Sequence, residues 1–349
     1  MNWQVGFRQP GVLAALGAAL LFGAGTPLAK WLLASVNPWL LAGLLYLGSG
    51  VGLALYRRLI HAPAVRLARN EATWFAAAIM VGGILGPVLL MFGLTGMPAS
   101  GASLLLNAES VVTALLAWFA FKENFDRRIA LGMAAIVAGA LVLSWPGDAQ
   151  FAGLWPTLAI LGACFAWGVD NNLTRKIALT DATWIASVKG LVSGVANLTL
   201  AISLGASMPA MSTVAAAMLV GLLAYGISLT LFVTSLRHLG TARTGAYFSI
   251  APFFGALIAV LMGDEVTIPL CIAAILMAIG VWLHLTERHE HEHSHEMFSH
   301  DHEHIHDEHH QHPHDNPVAP GTKHRHFHLH RPLTHQHLHF PDTHHRHNH

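Results

Sequence analysis

The sequence predicts an all-α membrane protein of ten transmembrane helices, arranged as two inverted five-helix repeats and followed by a disordered histidine-rich tail. Three observations predict it. Apolar runs long enough to cross a bilayer recur through the first 286 residues, basic residues occupy alternate connections between them, and 23 of the 26 histidines lie after residue 286. The 349 residues are 54% hydrophobic and 11% charged, with mean hydropathy +0.49. A typical soluble domain is about 25% charged, so a soluble cytoplasmic enzyme is excluded. The formal charge of zero hides two polymers: residues 1–286 hold 14 Lys and Arg against 9 Asp and Glu, and residues 287–349 hold 5 against 10. The expected organisation is therefore a first five-helix repeat over 1–145, a second over 146–286, and the tail over 287–349.

A hydrocarbon core about 30 Å thick takes roughly 20 apolar residues per helix. Runs of that kind fall at 11–34, 38–56, 72–94, 101–121, 128–145, 153–174, 183–204, 214–236, 243–262 and 267–286. Turn formers such as Asn37-Pro38, Met97-Pro98 and Pro146-Gly147 separate several of them. The first run is too long for a signal peptide and lacks a small-x-small cleavage site, so it is read as a span. Cys164 and Cys271 sit in apolar segments with no ligand spacing, which supports neither a disulfide framework nor a zinc finger.

Basic residues fix the expected orientation. Arg8 precedes the first span; Arg57, Arg58, Arg66 and Arg69 follow the second; Lys122, Arg127 and Arg128 follow the fourth. Arg175 and Lys176, then Arg237 and Arg243, then Arg288 continue the alternation, and the other five loops contain none. By the positive-inside rule both termini and the tail are cytoplasmic, in what is expected to be a bacterial inner membrane. Trp31, Trp39, Trp74, Trp145, Trp155, Trp184 and Trp282 fall near span ends, where amphipathic rings prefer the headgroup region.

Residue n set against n+145 aligns Gly23 with Gly168, Leu28 with Leu173 and Lys30 with Arg175. A second register, n+142, aligns Ala114, Leu115, Ala117 and Glu123 with Ala256, Leu257, Ala259 and Glu265. Each half then holds five spans. A direct repeat of an odd number of helices lies upside down relative to its partner, which is the inverted-topology construction of secondary transporters.

The stretches FGAGTPLAK in span one, ASLLLNAESVVTALLAWFAFKE through span four, and LRHLGTARTGAYFSIAPFFGALIA across spans eight and nine resemble the EamA-type branch of the drug/metabolite transporter superfamily. The resemblance covers about residues 10 to 286 and implies two five-helix repeats, a central cavity, and movement of small organic solutes, usually outward. The tail lies outside the family pattern.

A charge at the centre of a membrane helix costs about 2.5 to 3.5 kcal/mol on insertion scales, so each one needs a reason. Glu109 lies near the midplane of span four, Lys189 near the cytoplasmic third of span seven, and Asp170 with Asn171 and Asn172 near the end of span six. Lys30 lies near the outer end of span one, where a long stem reaches the interface. Glu109 and Lys189 form either a buried ion pair that pins two helices or a proton carrier with its counter-ion in a water-filled cavity; Asp170 is either a solvated helix end or part of the pathway. Asn107, Trp167, Tyr225 and Tyr247 are candidate lining groups. Pro27, Pro87 after Gly86, and Pro252 mark where backbone kinks or opens onto such a cavity.

The tail alternates imidazole with acid. His289, His291, His293 and His295 open it; His300, His302, His304, His306, His309, His310, His312 and His314 follow. After a Pro-rich gap it resumes with His324, His326, His328 and His330, then His335, His337 and His339, and ends with His344, His345, His347 and His349. Imidazole binds Zn, Ni, Co or Cu, and carboxylates add ligands or orient the rings. Residues 287–315 carry nine acids and one base and residues 316–349 one acid and four bases, so the halves should attract each other. The composition buries no core, so the expected apo state is disordered, with a hairpin turning at Arg331 to Thr334 as a weaker expectation.

The body requires no cofactor, and the expected partners are the bilayer, a small-molecule substrate and divalent metal ions; nucleic acid is not among them, and homodimerisation stays open. With no catalytic constellation and no phosphate-binding glycine loop, neither an enzyme nor an ATP-driven pump is expected. The leading expectation is a gradient-driven exporter of small organic metabolites or drugs. The alternative is a divalent-metal exporter fed by the tail toward Asp170, His284 and Glu109, or a metal-regulated permease; a metal store or sensor is a third reading.

Overall fold

The computed structural model describes residues 10–65, 67–121, 127–144, 154–175, 177, 180–285, 290–295, 298–304, 324–330 and 333–338. It divides into two units, Met1–Glu287 and Arg288–His349.

The first unit is all helix. Its elements are α1 (Pro10–Leu32), α2 (Pro38–Leu59), α3 (Arg69–Ala78), a π-helical turn at Ile79–Leu85, α4 (Gly86–Thr95), α5 (Ala99–Leu105), α6 (Ala108–Phe121) and α7 (Arg127–Ser144). There follow α8 (Leu154–Arg175), α9 (Ala182–Ser203), α10 (Met211–Gly221), a second π-helical turn at Leu222–Ile227, α11 (Ser228–Phe248), α12 (Ala251–Leu261) and α13 (Ile268–Leu285). Among the described residues five continuous helical segments are long and apolar enough to cross a membrane, and shorter apolar helices at Ala130–Leu143, Ala251–Leu261 and Ile268–Leu283 fall in the expected fifth, ninth and tenth spans. The protein is an all-α membrane protein. One boundary differs from expectation: α11 runs without interruption through 237–242, expected as a connection, and the chain breaks at Ser249–Ile250 inside the expected ninth span.

That break has a counterpart. The expected fourth span is interrupted at Leu106–Asn107, between α5 and α6, and the two breaks lie 143 residues apart, the same separation as the starts of the two π turns at Ile79 and Leu222. Backbone irregularities thus recur at a separation that lies between the two side-chain registers of 142 and 145. Packing recurs with it: α2 lies on α9, α7 on α13 and α5 on α12, while α4 and α6 pack on α8 as α11 and α12 pack on α1.

The α2–α9 contact is backbone against backbone. A Cβ on Gly190 would lie 2.5 Å from the Gly50 nitrogen, and one on Gly194 would lie 2.5 Å from the Leu47 nitrogen. Without a hydrophobic force between helices in lipid, such small-residue seams are how helices gain packing energy.

The first π turn releases two carbonyls. Pro87 has no N–H, so the Gly83 carbonyl loses its helical donor; Gly86 N–H bonds back to Val81, so the Gly82 carbonyl loses its donor too. Side chains replace both. Tyr46 Oη (3.2 Å) and Trp167 Nε1 (3.0 Å) donate to Gly82, and Asn197 Nδ2 donates to Gly83 at 3.4 Å. Of the three prolines singled out by sequence, Pro87 opens the backbone inward, Pro27 lies inside an uninterrupted α1, and Pro252 sits in the first turn of α12.

In the second unit, β1 (Glu290–His295) pairs antiparallel with β4 (Leu333–Leu338), and β2 (Phe298–His304) pairs antiparallel with β3 (His324–His330). These segments of the tail are extended and paired. The hairpin expected at Arg331 to Thr334 is not formed, because β3 and β4 each pair with a strand of the acidic half rather than with one another. Between β2 and β3 the register sets Glu303 opposite Arg325.

Asp181 ties the connection after α8 to α2. Its Oδ1 caps α9, accepting from Thr183 N (2.8 Å), Thr183 Oγ1 (2.6 Å) and Trp184 N (3.1 Å), and it pairs with Arg57 at 2.9 Å. Partial burial pushes its carboxyl up, but the hydrogen bonds from Thr183, Arg57 and Trp184 and the guanidinium charge outweigh that and hold it at about 2. A depressed carboxyl stabilises the fold above its unfolded value near 3.9, and that contribution is lost as pH falls toward 2. Asp181→Asn should therefore lower the melting temperature of the detergent-solubilised protein at pH 7, and the gap from wild type should close between pH 4 and pH 2; a gap independent of pH would contradict the assignment.

Candidate functional site

A cavity of about 110 Å3 lies where α1, α2, α6, α8, α9, the second π turn and α11 converge. Its walls are aromatic: Phe22, Tyr46, Trp167, Tyr225, Phe232 and Phe248. Phe22 meets Trp167 and Tyr225 edge to face, each with centroids 6.1 Å apart, and Tyr46 lies 5.2 Å from Tyr225. Its polar groups are Ser49, Ser228, Glu109, Asn171 and the pair formed by Asp170 and Lys189.

Asp170 and Lys189 form a salt bridge between α8 and α9, with each side chain only 8% exposed. Asp170 also accepts from Thr174 Oγ1 at 3.0 Å. The pair abuts the π turn: a Cβ on Gly82 would collide with the Asp170 carboxyl, and one on Gly83 with the Ser193 hydroxyl. Only glycines let α8 and α9 close on that turn. Lys189 was expected to pair with Glu109; Asp170 takes that place, because α8 presents it directly to α9.

Glu109 is held differently. The helix break at Leu106–Asn107 leaves it in the first turn of α6, half-buried, at the positive end of the helix dipole, which favours a negative charge. Asn171 Nδ2 donates to its Oε1 at 2.7 Å, and no cation is bonded to it among the described residues. With Asp170 neutralised by Lys189, the cavity carries one net negative charge when Glu109 is ionised.

The other candidates are distributed as follows. Trp167 and Tyr225 line the cavity, and Asn171 sits on its wall. Asn172 braces α8 instead, donating to Gly168 O at 2.9 Å and Thr113 O at 3.4 Å. Asn107 is buried away from the cavity, donating to Leu104 O at 3.0 Å, and Tyr247 is half-buried outside the lining. Lys30 lies on α1 away from the cavity, and its Nζ donates to the Leu94 carbonyl. The side chain of His284 and those of the tail histidines lie outside the described residues. Among the described residues no group of three or more His, Cys, Asp or Glu stands close enough to hold a metal ion.

Sequence reasoning missed Phe22, Tyr46, Phe232 and Phe248. For Phe22 the signal was present, since the n+145 register that aligns Gly23 with Gly168 also aligns Phe22 with Trp167.

Asp170→Asn leaves the Lys189 ammonium buried without its counter-charge, a loss of about 3 to 5 kcal/mol by comparison with other broken buried pairs. Thermal unfolding in detergent should show a large drop for Asp170→Asn and a clear recovery for Asp170→Asn/Lys189→Met; equal drops would mean that the pair is not an energetic unit.

The chain has informative relatives. It is 26% identical over 298 residues to a protein of Methanothermobacter thermautotrophicus described as an uncharacterized transporter, covering 79% of this chain and 86% of that one. It is 26% identical over 208 residues, 54% of this chain and 68% of the relative, to a probable amino-acid metabolite efflux pump of Salmonella typhimurium. One solved structure, at 19% identity, superposes with a TM-score of 0.61 over 80% of this chain and 99% of that one, a likeness of fold alone. The model of the EamA-like transporter family matches twice, over residues 9–145 and 154–286, and the chain belongs to that family.

Proposed function

We propose that this protein exports small amino-acid-like organic solutes by alternating access, with export coupled to a proton carried by Glu109. The observation that carries the reading is an aromatic-walled cavity holding one carboxylate with no ion pair among the described residues beside a second carboxylate already neutralised. Aromatic faces bind apolar side chains and attract cations, and a carboxylate in their midst binds either an ammonium or a proton. Occupancy by one displaces the other, which is the elementary form of exchange coupling. Lys189 lies at the same cavity and offers a donor to a solute carboxylate.

Family membership supports transport, and the name of the efflux-pump relative supports the outward direction and the amino-acid-like class. The matched irregularities support rocking of one repeat against the other: a π turn and a helix break in each half give each repeat the same two places to bend. The reading places the chain in a bacterial inner membrane with both termini in the cytoplasm, on the strength of the basic loops.

The tail is read as a metal-binding accessory to the transporter. A second reading, export of Ni, Co or Zn ions themselves, rests on the density of histidines in that tail. The cavity favours the organic solute, because it presents six aromatic rings and no cluster of metal ligands among the described residues.

Proteoliposomes separate these readings. With an imposed pH gradient, wild-type protein should move an aromatic amino acid at a rate that follows the gradient, and Glu109→Gln should retain solute exchange while losing the dependence on pH. Normal pH dependence in Glu109→Gln removes Glu109 from the coupling, and movement of Ni2+ but not of amino acids in the same vesicles establishes the second reading.

A further inference from the structure

The strand pairs of the tail share an arrangement that composition alone does not dictate. Their registers set histidine against histidine: His300 opposite His328, His302 opposite His326 and His304 opposite His324 between β2 and β3, and His291 opposite His337 and His293 opposite His335 between β1 and β4. Successive strand residues alternate between faces, so the three pairs of β2 and β3 occupy one face of their ribbon, and the two pairs of β1 and β4 one face of theirs. A slip of one residue would set every one of these histidines against a non-histidine neighbour.

We propose that each ribbon is a divalent transition-metal clamp, in which one ion is held by imidazoles from two adjacent cross-strand pairs. This rests on the reading of the tail as metal-binding and goes beyond it by naming which histidines act together. Directly opposed positions stand about 4.5 to 5.5 Å apart, and successive pairs on one face about 7 Å apart. Two adjacent pairs therefore gather four imidazole-bearing positions into a patch the size of a single coordination sphere. The carboxyl-bearing positions Glu292, Asp301 and Glu303 alternate with the histidines and fall on the opposite faces. The residue type gathered on one face is histidine, whose nitrogen suits Zn, Ni, Co or Cu ions rather than Mg and Ca, whose ligands are oxygens.

The clamp also has a mechanical consequence. His300 and His328 belong to the acidic and basic halves of the tail, so an ion bound by both ties the halves together at a fixed register. The register that also sets Glu303 opposite Arg325 is the one such an ion locks.

The test is the number of tight Ni2+ equivalents bound by the full-length protein in detergent, measured by calorimetric titration. Four variants are compared with wild type and with a chain ending at Glu287: His300→Asn/His302→Asn on β2, His326→Asn/His328→Asn on β3, the combined fourfold change, and His309→Asn/His310→Asn outside the strands. The clamp predicts that either two-residue strand variant loses one equivalent, that the fourfold variant loses no more than that, and that His309→Asn/His310→Asn loses none. Losses that scale with the number of histidines removed, wherever they lie, overturn the clamp while leaving metal binding by the tail intact. Binding no greater than that of the chain ending at Glu287 overturns both.

Discussion

A charge inside a bilayer must be given a partner, and the salt bridge between Asp170 and Lys189 organises the structure around that need. The pair joins α8 to α9, and it fits only because Gly82 presents no side chain to the Asp170 carboxyl. In the π turn that positions Gly82, Pro87 withholds a donor, and the carbonyls released there are recovered by Tyr46, Trp167 and Asn197. Two of those three side chains, Tyr46 and Trp167, are also cavity walls. Satisfying the backbone and building the cavity are thus one act of packing.

The repeat multiplies this economy without copying it. Both halves bend at a π turn and break a helix at matching positions, yet the chemistry placed there differs. The first half puts Glu109 just after its break, and the second half puts Pro252 at the start of the corresponding helix. Phe22 and Trp167, mates in the repeat register, meet edge to face within one cavity. A symmetric scaffold therefore encloses an asymmetric charge, as a site that distinguishes the two ends of a solute requires.

Much of this was legible in the sequence. Span limits follow from hydrocarbon thickness and landed within a few residues of the helices at most ends, because apolar length is a one-dimensional property. Glu109, Asp170, Lys189, Trp167 and Tyr225 stood out as polar or amphipathic groups in apolar surroundings, and all five line the cavity. What pairs with what was not legible. Glu109 and Lys189 looked like partners on charge alone, whereas the contact of α8 with α9 gives Lys189 to Asp170. The continuity of α11 and the breaks at Leu106–Asn107 and Ser249–Ile250 also escaped, since apolar runs do not reveal where a helix stops inside the membrane. In the tail, composition pointed to disorder and more weakly to a local hairpin, and nothing local in the sequence identified strand partners that lie in distant segments.

The central claim is that solute and proton compete for Glu109. Calorimetric binding of an aromatic amino acid to the purified protein, repeated in buffers of different ionisation enthalpy, counts the protons released on binding. The account predicts release of up to one proton per solute, most where free Glu109 is protonated, and none in Glu109→Gln at any pH. Tight binding with no proton release at any pH in the wild-type protein would contradict it.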